Sequence, residues 1–508
     1  MSSSNEEGIK NMDSNLNVIH PLLFNHPIVV RKERRPLLKT FWVVVSLFFL
    51  WQIFTNTTSS IQTILGATLI AIAALYPFYL WCSGKALGMP IFPLFALTYL
   101  WTYGLPLVSN HPLIIPYLPD AHLFASITVA GFLVLGTFIW LQFVRFPPDP
   151  PKSYRIIMGN KSNSFLFFFL ISSILFNMSF IGGWFLLEGG IISLIRGAIL
   201  GFNVLSVFVL SYRYGARELS KKEANLFLFL LVSYLITNTA SLLLVGALSA
   251  VLLGIMAFIF GRNQVPWLAI IVAVIFILPL HYGKGEMRAK YWQPNQPLHF
   301  VQPWQYPAWY TEWIAYSIDY LSKSPEQKEK RQDFSERSSL MHLLLMAQDK
   351  TPREVPYLAG DSYSIIPQLL VPRFLNSNKI TSHEGTYRLN IHYGLQTRQD
   401  TLTTTIGWGL LNESYANFGL LGCAGLAVIL GAGYGLATRW SIHTSILSSR
   451  SLFTVLLMGY AFQSEFSAGV YVAALFQSVV PLVMLTFVFM KLHKNEEYYR
   501  VKKPLFFE

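Results

Sequence analysis

Residues 360–425 read GDSYSIIPQLLVPRFLNSNKITSHEGTYRLNIHYGLQTRQDTLTTTIGWGLLNESYANFGLLGCAG. The first part of this stretch is polar and irregular, and the second part runs directly into an apolar segment. The opening turns of that segment carry Glu413 and Asn417, which lie four residues apart and share one face of a helix. The stretch therefore predicts cations beside a carboxylate at a membrane boundary, which suits a polar substrate carried on a lipid. The cations within it are Arg373, Lys379, Arg388 and Arg398.

The composition of the whole chain is that of a membrane protein. Only 13% of its residues are charged and 53% are hydrophobic, whereas soluble domains are roughly a quarter charged. Mean hydropathy is +0.44, and several apolar runs approach the roughly 20 residues that cross a bilayer. We therefore expect an all-α polytopic protein embedded in the lipid bilayer. The net charge of +12 lies largely in short connections and tails, where the positive-inside rule explains it without a nucleic-acid partner.

The apolar runs predict 12 transmembrane helices, which lie at residues 40–55, 61–82, 90–108, 121–144, 165–187, 192–212, 226–243, 244–260, 266–281, 410–437, 451–469 and 470–491. The weakest boundary divides residues 226–260, where the sequence has no polar turn. The predicted organisation is an N-terminal tail (1–39), a bundle of about nine spans (40–281), one large external loop (282–405), three further spans (406–491) and a C-terminal tail (492–508).

Basic residues set the predicted orientation. A cluster of Lys and Arg abuts the first span, and further clusters fall in every second connection and in the C-terminal tail. Because cytoplasmic loops carry an excess of Lys and Arg, both termini are expected in the cytoplasm. The long loop is then expected on the outer face of the membrane.

The predicted external loop is far longer than the other connections, and loops of this length are usually functional. Residues 308–322 and 335–349 within it are each predicted to form a short amphipathic helix. Two interpretations stand for its aromatic first third, a belt at the lipid headgroups or a surface on which sugar rings stack. The aromatic residues are Trp292, Trp304, Tyr306, Trp309, Tyr310, Trp313, Tyr316 and Tyr320.

Most catalytic signatures are absent from the sequence. It contains no metal-ligand spacing, nucleophile elbow, phosphate-binding loop or dinucleotide fingerprint in a convincing context, so neither a metal nor a cofactor is expected. Cys82 and Cys423 fall in or beside apolar segments and are interpreted as buried thiols. Gly419, Gly422 and Gly425 are interpreted as small residues for helix packing.

Charged residues near the predicted outer face are the candidates for a substrate site. Arg196 lies just inside the outer end of its span, where a cation is costly and usually has a partner. Glu413 is expected to pair with an arginine, and Glu465 lies in a similar place between the last two spans. Guanidinium forks match pyrophosphate oxygens, although solvation or an ion pair also explains each loop cation singly. These loop cations are Arg337, Arg353, Arg373, Lys379, Arg388 and Arg398.

Three motifs follow one another between about residues 335 and 425. They are Tyr357 followed by Gly360-Asp-Ser-Tyr363, then Val371-Pro372-Arg373 with Lys379, and finally Asn412-Glu413-Ser-Tyr415-Ala-Asn417-Phe418-Gly419. In this order they resemble the Wzy-type O-antigen polymerases, which join oligosaccharide repeat units and are related to the O-antigen ligases. The layout of spans around one large external loop extends the resemblance to the whole chain.

The resemblance implies a helical glycosyltransferase of the C-type architecture that works without nucleotide sugars or metal. Its substrate would be an undecaprenyl-pyrophosphate-linked oligosaccharide at the periplasmic face. Its product would be a surface polysaccharide such as O-antigen, capsule or exopolysaccharide. A chain-length regulator and a flippase of the same pathway would be its protein partners. Family polymerases use arginines of two external loops, for which Arg196 and the arginines of the long loop would be the counterparts.

The chemistry of such a transfer assigns roles to these residues. The leaving pyrophosphate needs fixed cations, for which Arg373 is the first choice, with Arg337 and Arg388 beside it. The acceptor hydroxyl needs a general base, for which Glu413 is the first choice and His392 the second. The predicted substrate-binding set also includes Arg196, Arg353, Lys379, Arg398, Tyr415 and Asn417.

Three other functions remain open from the sequence. A ligase would transfer the finished glycan to another acceptor by closely related chemistry. A flippase for the same lipid-linked sugar would place charged or broken helices near mid-membrane and show paired halves. A purely structural membrane scaffold is the third.

Overall fold

A computed structural model describes residues 34–55, 60–109, 111–157, 161–184, 190–292, 300–322, 339–371, 376, 379–402 and 405–495. Most of the two predicted tails lies outside these residues. We number the elements in chain order. The helices are α1 (Arg35–Thr55), α2 (Ile61–Cys82), α3 (Ile91–Val108), α4 (Pro119–Val144), α5 (Lys161–Ile181), α6 (Gly190–Gly215), α7 (Lys221–Thr239), α8 (Val245–Arg262), α9 (Trp267–Tyr291), α10 (Tyr306–Ser322), α11 (Met341–Lys350), α12 (Glu384–His392), α13 (Gly409–Ser441), α14 (Ser449–Ala461) and α15 (Ala468–Val488). The strands are β1 (Ser153–Ile157) and β2 (Met490–Lys494).

Ten of the described helices are long and apolar enough to cross a membrane: α1 to α6, α8, α9, α13 and α15. The predicted fold class, an all-α multi-pass membrane protein, is therefore confirmed. The other two predicted spans correspond to α7 and α14. Helix α14 has 13 residues and rises about 20 Å, less than the hydrocarbon thickness of about 30 Å. The count of 12 spans and the external position of the long loop stay predictions.

Three helix ends lie away from the ends of the predicted spans. Helix α9 continues to Tyr291, ten residues past the predicted end of its span, because hydropathy marks where an apolar run ends and not where a helix ends. Helix α14 stops at Ala461, and a separate connection, residues 462–467, leads to α15. The last helix stops at Val488 and is followed directly by β2. By contrast, the weakly predicted break within residues 226–260 is confirmed, since α7 ends at Thr239 and α8 begins at Val245.

The centre of the bundle is the packing of α4 against α13. A methyl group placed on Gly431 would lie 2.6 Å from the carbonyl oxygen of Gly136, so the two backbones touch there. Phe92 of α3 stacks on Trp140 of α4, with ring centroids 5.9 Å apart. Small residues at such a crossing allow the close van der Waals packing on which helix association in a membrane depends.

One end of the bundle is closed by a small sheet. Strands β1 and β2 pair antiparallel, with Ser153 opposite Lys494 and Ile157 opposite Met490. The backbone N–H of Ile157 also donates to the carbonyl of Leu447 at 3.2 Å. The connections that follow α4, α13 and α15 therefore meet at the same end of the molecule, and all three were predicted to be cytoplasmic.

At the opposite end, the second half of the long connection folds onto the bundle. The backbone N–H of Leu340 donates to the carbonyl of Thr102 at 2.8 Å, and the carbonyl of Leu340 accepts from Asn412 Nδ2 at 2.9 Å. Asn412 Oδ1 in turn accepts from the hydroxyl of Tyr103 at 2.9 Å. Because the leucines of α11 are buried, this helix is an integral part of the core and not a solvated connection.

The aromatic first third of the long connection has a different role from either predicted one. Helices α9 and α10 pack together, and Trp313 is fully buried, with its indole N–H donating to the carbonyl of Leu280 at 2.7 Å. Trp309 packs on Tyr291, with ring centroids 4.6 Å apart. These rings form the core of a helical hairpin, whereas Trp304 is 72% exposed. A headgroup belt or a sugar platform can therefore include only part of the set.

The orientation of the molecule can be tested with single cysteines at the two ends. Arg353 follows α11, and the charge of the neighbouring Glu354 acts on Tyr117, just before α4 begins; exposed Asp149 follows the other end of α4. We expect an impermeant thiol reagent applied from the outer face to label Arg353→Cys but not Asp149→Cys. Both natural cysteines are buried, so background labelling should be low. Labelling of position 149 alone would reverse the orientation.

A stacked histidine pair predicts that the docking of the long connection is sensitive to acid. His342 of α11 stacks on His111, with ring centroids 5.7 Å apart, and burial, followed by the charge of His111, lowers the pKa of His342 to about 4. The unfolded chain binds this proton near pH 6.5, so stability falls as the pH drops from that value toward 4. Between pH 7 and pH 5 we expect a loss of at most about 2 kcal/mol.

This loss should appear as a lower thermal unfolding midpoint of the purified protein at pH 5. A His342→Gln variant should show a smaller drop between the two pH values, because it lacks the titrating group. Equal drops in the wild-type protein and the variant would contradict the role of His342.

Candidate functional site

The candidate site lies where three segments distant in sequence meet: the first turns of α13, the segment 357–364, and the first residue of α15. Glu413 of α13 is fully buried. Its Oε1 accepts a hydrogen bond from the hydroxyl of Ser362 at 2.8 Å. Its Oε2 accepts from the backbone N–H of Ala468 at 2.6 Å. A single carboxylate therefore joins all three segments.

The bond to Ala468 has a clear structural cause. The first backbone N–H groups of a helix lack intrahelical partners, and Ser467, the N-cap residue of α15, makes no side-chain capping bond. Glu413 supplies the missing acceptor from another helix. Its position at a helix N-terminus is also favourable because the helix dipole stabilises negative charge there.

Asn417 extends this network on the same face of α13, as the four-residue spacing predicted. Its Nδ2 donates to Ser362 Oγ at 2.8 Å and to the carbonyl of Glu413 at 2.7 Å, and its Oδ1 accepts from the backbone N–H of Gly360 at 2.9 Å. Because an amide nitrogen can only donate, Ser362 Oγ is the acceptor in that bond. The hydroxyl proton of Ser362 is then directed to Glu413.

The segment 357–364 is held by a break in α13. Gly419 has φ 61° and ψ −145°, a conformation essentially restricted to glycine. The break removes the helical partners of nearby carbonyls, and two backbone N–H groups of the segment replace them. Leu358 donates to Ala416 at 3.0 Å and Ala359 donates to Asn417 at 3.1 Å. The Gly419 break thus creates the docking place for this segment.

This finding corrects the interpretation of the glycines as a packing stripe. Gly419 forms the break, and a methyl group on it would lie 2.9 Å from the hydroxyl of Tyr357. A methyl group on Gly422 would lie 2.4 Å from the carbonyl of Ser414, within the same helix across the break. A methyl group on Gly425 would meet no atom within 4 Å. The three-residue spacing therefore does not mark a packing surface between helices. The local backbone requires a small residue at the first two positions, and the third position makes no contact with another helix.

The break also separates two environments along α13. Residues 409–417 are all buried, whereas Phe418, Leu421 and Ile429 are 47%, 84% and 67% exposed. Residues 420–441 alone rise about 33 Å, enough to cross a bilayer of about 30 Å. Glu413 therefore lies in the part of α13 that is enclosed by protein and not along its lipid-facing length.

Three of the described loop cations, Lys379, Arg388 and Arg398, are engaged by the loop itself. Arg388 Nη1 donates to Asp361 Oδ1 at 2.6 Å, to the Asp361 carbonyl at 3.0 Å and to Ser364 Oγ at 3.1 Å. Arg398 binds both carboxylate oxygens of Glu384 at 3.0 Å, and these bonds raise the pKa of Arg398. Lys379 Nζ donates to the carbonyl of Leu369.

The expected arginine partner of Glu413 is not found among the described residues. Its oxygens accept from a hydroxyl and a backbone N–H, which satisfy a buried carboxylate without a second charge. Arg388 comes nearest in the bonding network, since its partner Asp361 directly precedes Ser362. The structure thus brings Glu413 and Asn417 into direct contact, and it links Arg388 to them through Asp361 and the adjoining Ser362.

The remaining predicted residues take other positions. Arg353 is exposed in the turn that follows α11. A ring nitrogen of His392, Nε2, lies 2.9 Å from the carbonyl oxygen of Pro356. Tyr415 is buried with its ring edge-to-face on Tyr357, 6.4 Å between centroids. Arg196 lies in α6, where the structure describes its backbone but not its side chain. Arg337 and Arg373 lie outside the described residues.

Sequence reasoning assigned no role to Asp361, Ser362 or Glu384, which the structure places at the centre of these contacts. A signal for the first two was present, because both belong to the motif Gly360-Asp-Ser-Tyr363. The third carried no such signal, since a carboxylate four residues before Arg388 fits an ordinary helical ion pair.

Compared with protein-family models, with curated proteins and with solved structures, the chain gives no match. Its function is therefore inferred from the geometry of this site and from the motifs in the sequence.

The anchoring role of Glu413 predicts a large effect on stability. In Glu413→Ala, the first N–H of α15 and the hydroxyl of Ser362 both lose their acceptor while buried, at about 1–3 kcal/mol for each group. We expect a clearly lower thermal unfolding midpoint and less folded protein than for Glu354→Ala, an exposed carboxylate of the same loop. Equal midpoints for the two variants would remove Glu413 from this role.

Proposed function

We propose that the protein polymerises lipid-pyrophosphate-linked oligosaccharide repeat units at the outer face of a bacterial inner membrane. The observation that carries this proposal is the meeting of two motifs through which the sequence resembles the Wzy-type polymerases. Gly360 and Ser362 of the first motif are hydrogen-bonded to Asn417 and Glu413 of the second. Motifs some fifty positions apart in the printed sequence therefore form one site, which supports a shared function.

The cations on the long connection suit the pyrophosphate of such a substrate. Arg388 lies on α12, which docks on α15 through a hydrogen bond between the hydroxyls of Thr386 and Ser467, 2.8 Å apart. A methyl group on Gly385 would lie 2.8 Å from the carbonyl of Ser362, so α12 also packs closely on the segment 357–364. Fixed guanidinium groups of this kind stabilise charge that develops on a leaving phosphate oxygen.

Among the candidate bases, Glu413 would have to lose a present contact before it could act. Both of its oxygens accept hydrogen bonds, so a sugar hydroxyl would reach Oε1 only after Ser362 moved away. These contacts favour a positioning role for Glu413, in which it fixes the segment 357–364 and α15 relative to each other, next to Arg388. His392 keeps one ring nitrogen near the Pro356 carbonyl and stays the second predicted base.

A flippase for the same lipid is the second candidate, because a broken helix is typical of transport sites. In this chain the break at Gly419 precedes a stretch long enough to cross the membrane by itself, so it lies toward one end of α13. A mid-membrane transport site would require the break at the centre of its span. The geometry therefore favours an enzyme site at the membrane surface.

The proposal is tested with purified protein in lipid nanodiscs and a lipid-linked repeat unit. A polymerase produces a ladder of products in a glycan gel, and Arg388→Ala should slow its formation by about 10²-fold or more. Arg388→Lys should restore little, because a point charge does not replace a planar fork. Arg145→Ala, an exposed cation that follows α4, serves as the control and should keep the wild-type rate.

Two results would contradict the proposed function, and a third would change only the residue assigned to it. A single transfer to a separate acceptor would identify a ligase. Movement of the lipid-linked unit across a vesicle membrane without a ladder would identify a flippase. A normal ladder from Arg388→Ala would remove that arginine from the site.

A further inference from the structure

A second carboxylate lies close to the Glu413 network and has a different environment. Glu465 belongs to the connection 462–467, three residues before the Ala468 that Glu413 binds. Its carbonyl accepts from the backbone N–H of Gly409 at 3.2 Å, which fixes it to the start of α13. A methyl group on Gly407 would lie 3.0 Å from the Cβ atom of Glu465, so the chain before α13 packs directly beside this side chain.

Two cations of α9 act on Glu465. Solvent reaches the Glu465 side chain, yet enough protein surrounds it that burial raises its pKa, an effect opposed by the charges of Lys284 and Arg288. Arg288 is itself fixed, because its guanidinium donates to the carbonyl of Leu242 at 2.6 Å and lies over the ring of Trp292, 4.4 Å from the centroid. Glu465 is therefore an exposed carboxylate on whose charge two cations of α9 act.

The two carboxylates differ in their access to a substrate hydroxyl. Glu413 is fully buried, with both oxygens occupied. Glu465 is open to solvent while its surroundings hold its pKa above the usual range. A base must come within hydrogen-bond reach of the hydroxyl that it deprotonates, and it works best with a pKa near the operating pH. Because Glu465 is exposed, a hydroxyl can approach it without the rearrangement that Glu413 would require.

Helix α9, which carries these two cations, also suits a substrate with a lipid tail. The first half of α9 is apolar and faces outward, with Leu268 and Ile275 77% and 68% exposed. Its second half is polar and carries Lys284 and Arg288. A lipid-linked sugar could therefore lie with its tail along the first half of α9 and its charged headgroup beside these cations and Glu465.

We infer that Glu465 is the carboxylate that deprotonates the acceptor sugar. Lys284 and Arg288 then stabilise the negative charge that develops on the acceptor oxygen beside Glu465. This inference rests on the proposed function and assigns its base. The proton of the acceptor hydroxyl passes to Glu465 while that oxygen forms a bond to the anomeric carbon of the donor sugar. The bond from this carbon to the pyrophosphate oxygen breaks, and the lipid pyrophosphate leaves with the electron pair. Glu465 then releases the proton to water.

The test compares variants of the full-length protein in nanodiscs with a lipid-linked repeat unit. Glu465→Gln should lower the initial rate of ladder formation by about 10²- to 10⁴-fold, with an unchanged thermal unfolding midpoint. Glu465→Asp should keep a measurable rate, because it keeps a carboxylate. Glu465→Gln with the wild-type rate would overturn the inference.

The pH profile separates a base from a structural residue. The wild-type rate should fall as the pH drops through the pKa of Glu465. Lys284→Met removes a charge that lowers this pKa, so it should move the acidic limb of the profile to higher pH. An acidic limb that stays in place would overturn the inference, even where Glu465→Gln fails to fold.

The wild-type reaction distinguishes this inference from the proposal on which it rests. A wild-type protein that forms no ladder overturns the proposed function itself, and the assignment of a base falls with it. A wild-type ladder combined with an unchanged Glu465→Gln rate overturns only the assignment of Glu465.

Discussion

The hydrogen bond from the first backbone N–H of α15 to Glu413 of α13 is the contact on which the arrangement of this end of the molecule depends. A buried carboxylate is costly unless its oxygens are satisfied, and a helix start is incomplete without acceptors. Each group therefore supplies what the other lacks. Ser362 adds a third chain segment to the same carboxylate, so that a loop far from both helices in sequence is fixed by one side chain.

The break at Gly419 complements this contact. An unbroken α13 would satisfy its own carbonyls and leave the segment 357–364 without backbone partners. The break exposes the carbonyls of Ala416 and Asn417, and the backbone N–H groups of Leu358 and Ala359 bind them. Side-chain hydrogen bonds to Glu413 and Asn417 and backbone hydrogen bonds to α13 therefore hold the same segment, residues 357–364. Arg388 of α12 therefore sits on a fixed support, which a site for a charged headgroup needs because misplaced groups lose much of their effect.

The sequence predicted the features that follow from composition and periodicity, and it failed where tertiary contacts decide. Apolar runs located the membrane helices, and the four-residue spacing placed Glu413 and Asn417 on one face. The partner of Glu413 was expected to be an arginine, since charge complementarity can be read from one chain segment. The actual partners are a backbone N–H at the start of α15 and the hydroxyl of Ser362. Neither can be identified as a partner by charge complementarity within one chain segment. For the same reason, Gly419 was interpreted as a packing residue, because spacing alone does not distinguish a small residue from a required backbone conformation.

The β1–β2 pair at the other end has a consequence for how the protein is made. During synthesis β1 emerges after α4, but its partner β2 follows the last helix, so the edge of β1 has no strand to pair with until nearly the whole chain has been inserted. The antiparallel pairing then ties the connection after α4 to the chain that follows α15. This end of the bundle can therefore close only as a late step of biogenesis, and a chain that stops before β2 would leave an open strand edge, a surface prone to pairing with other chains.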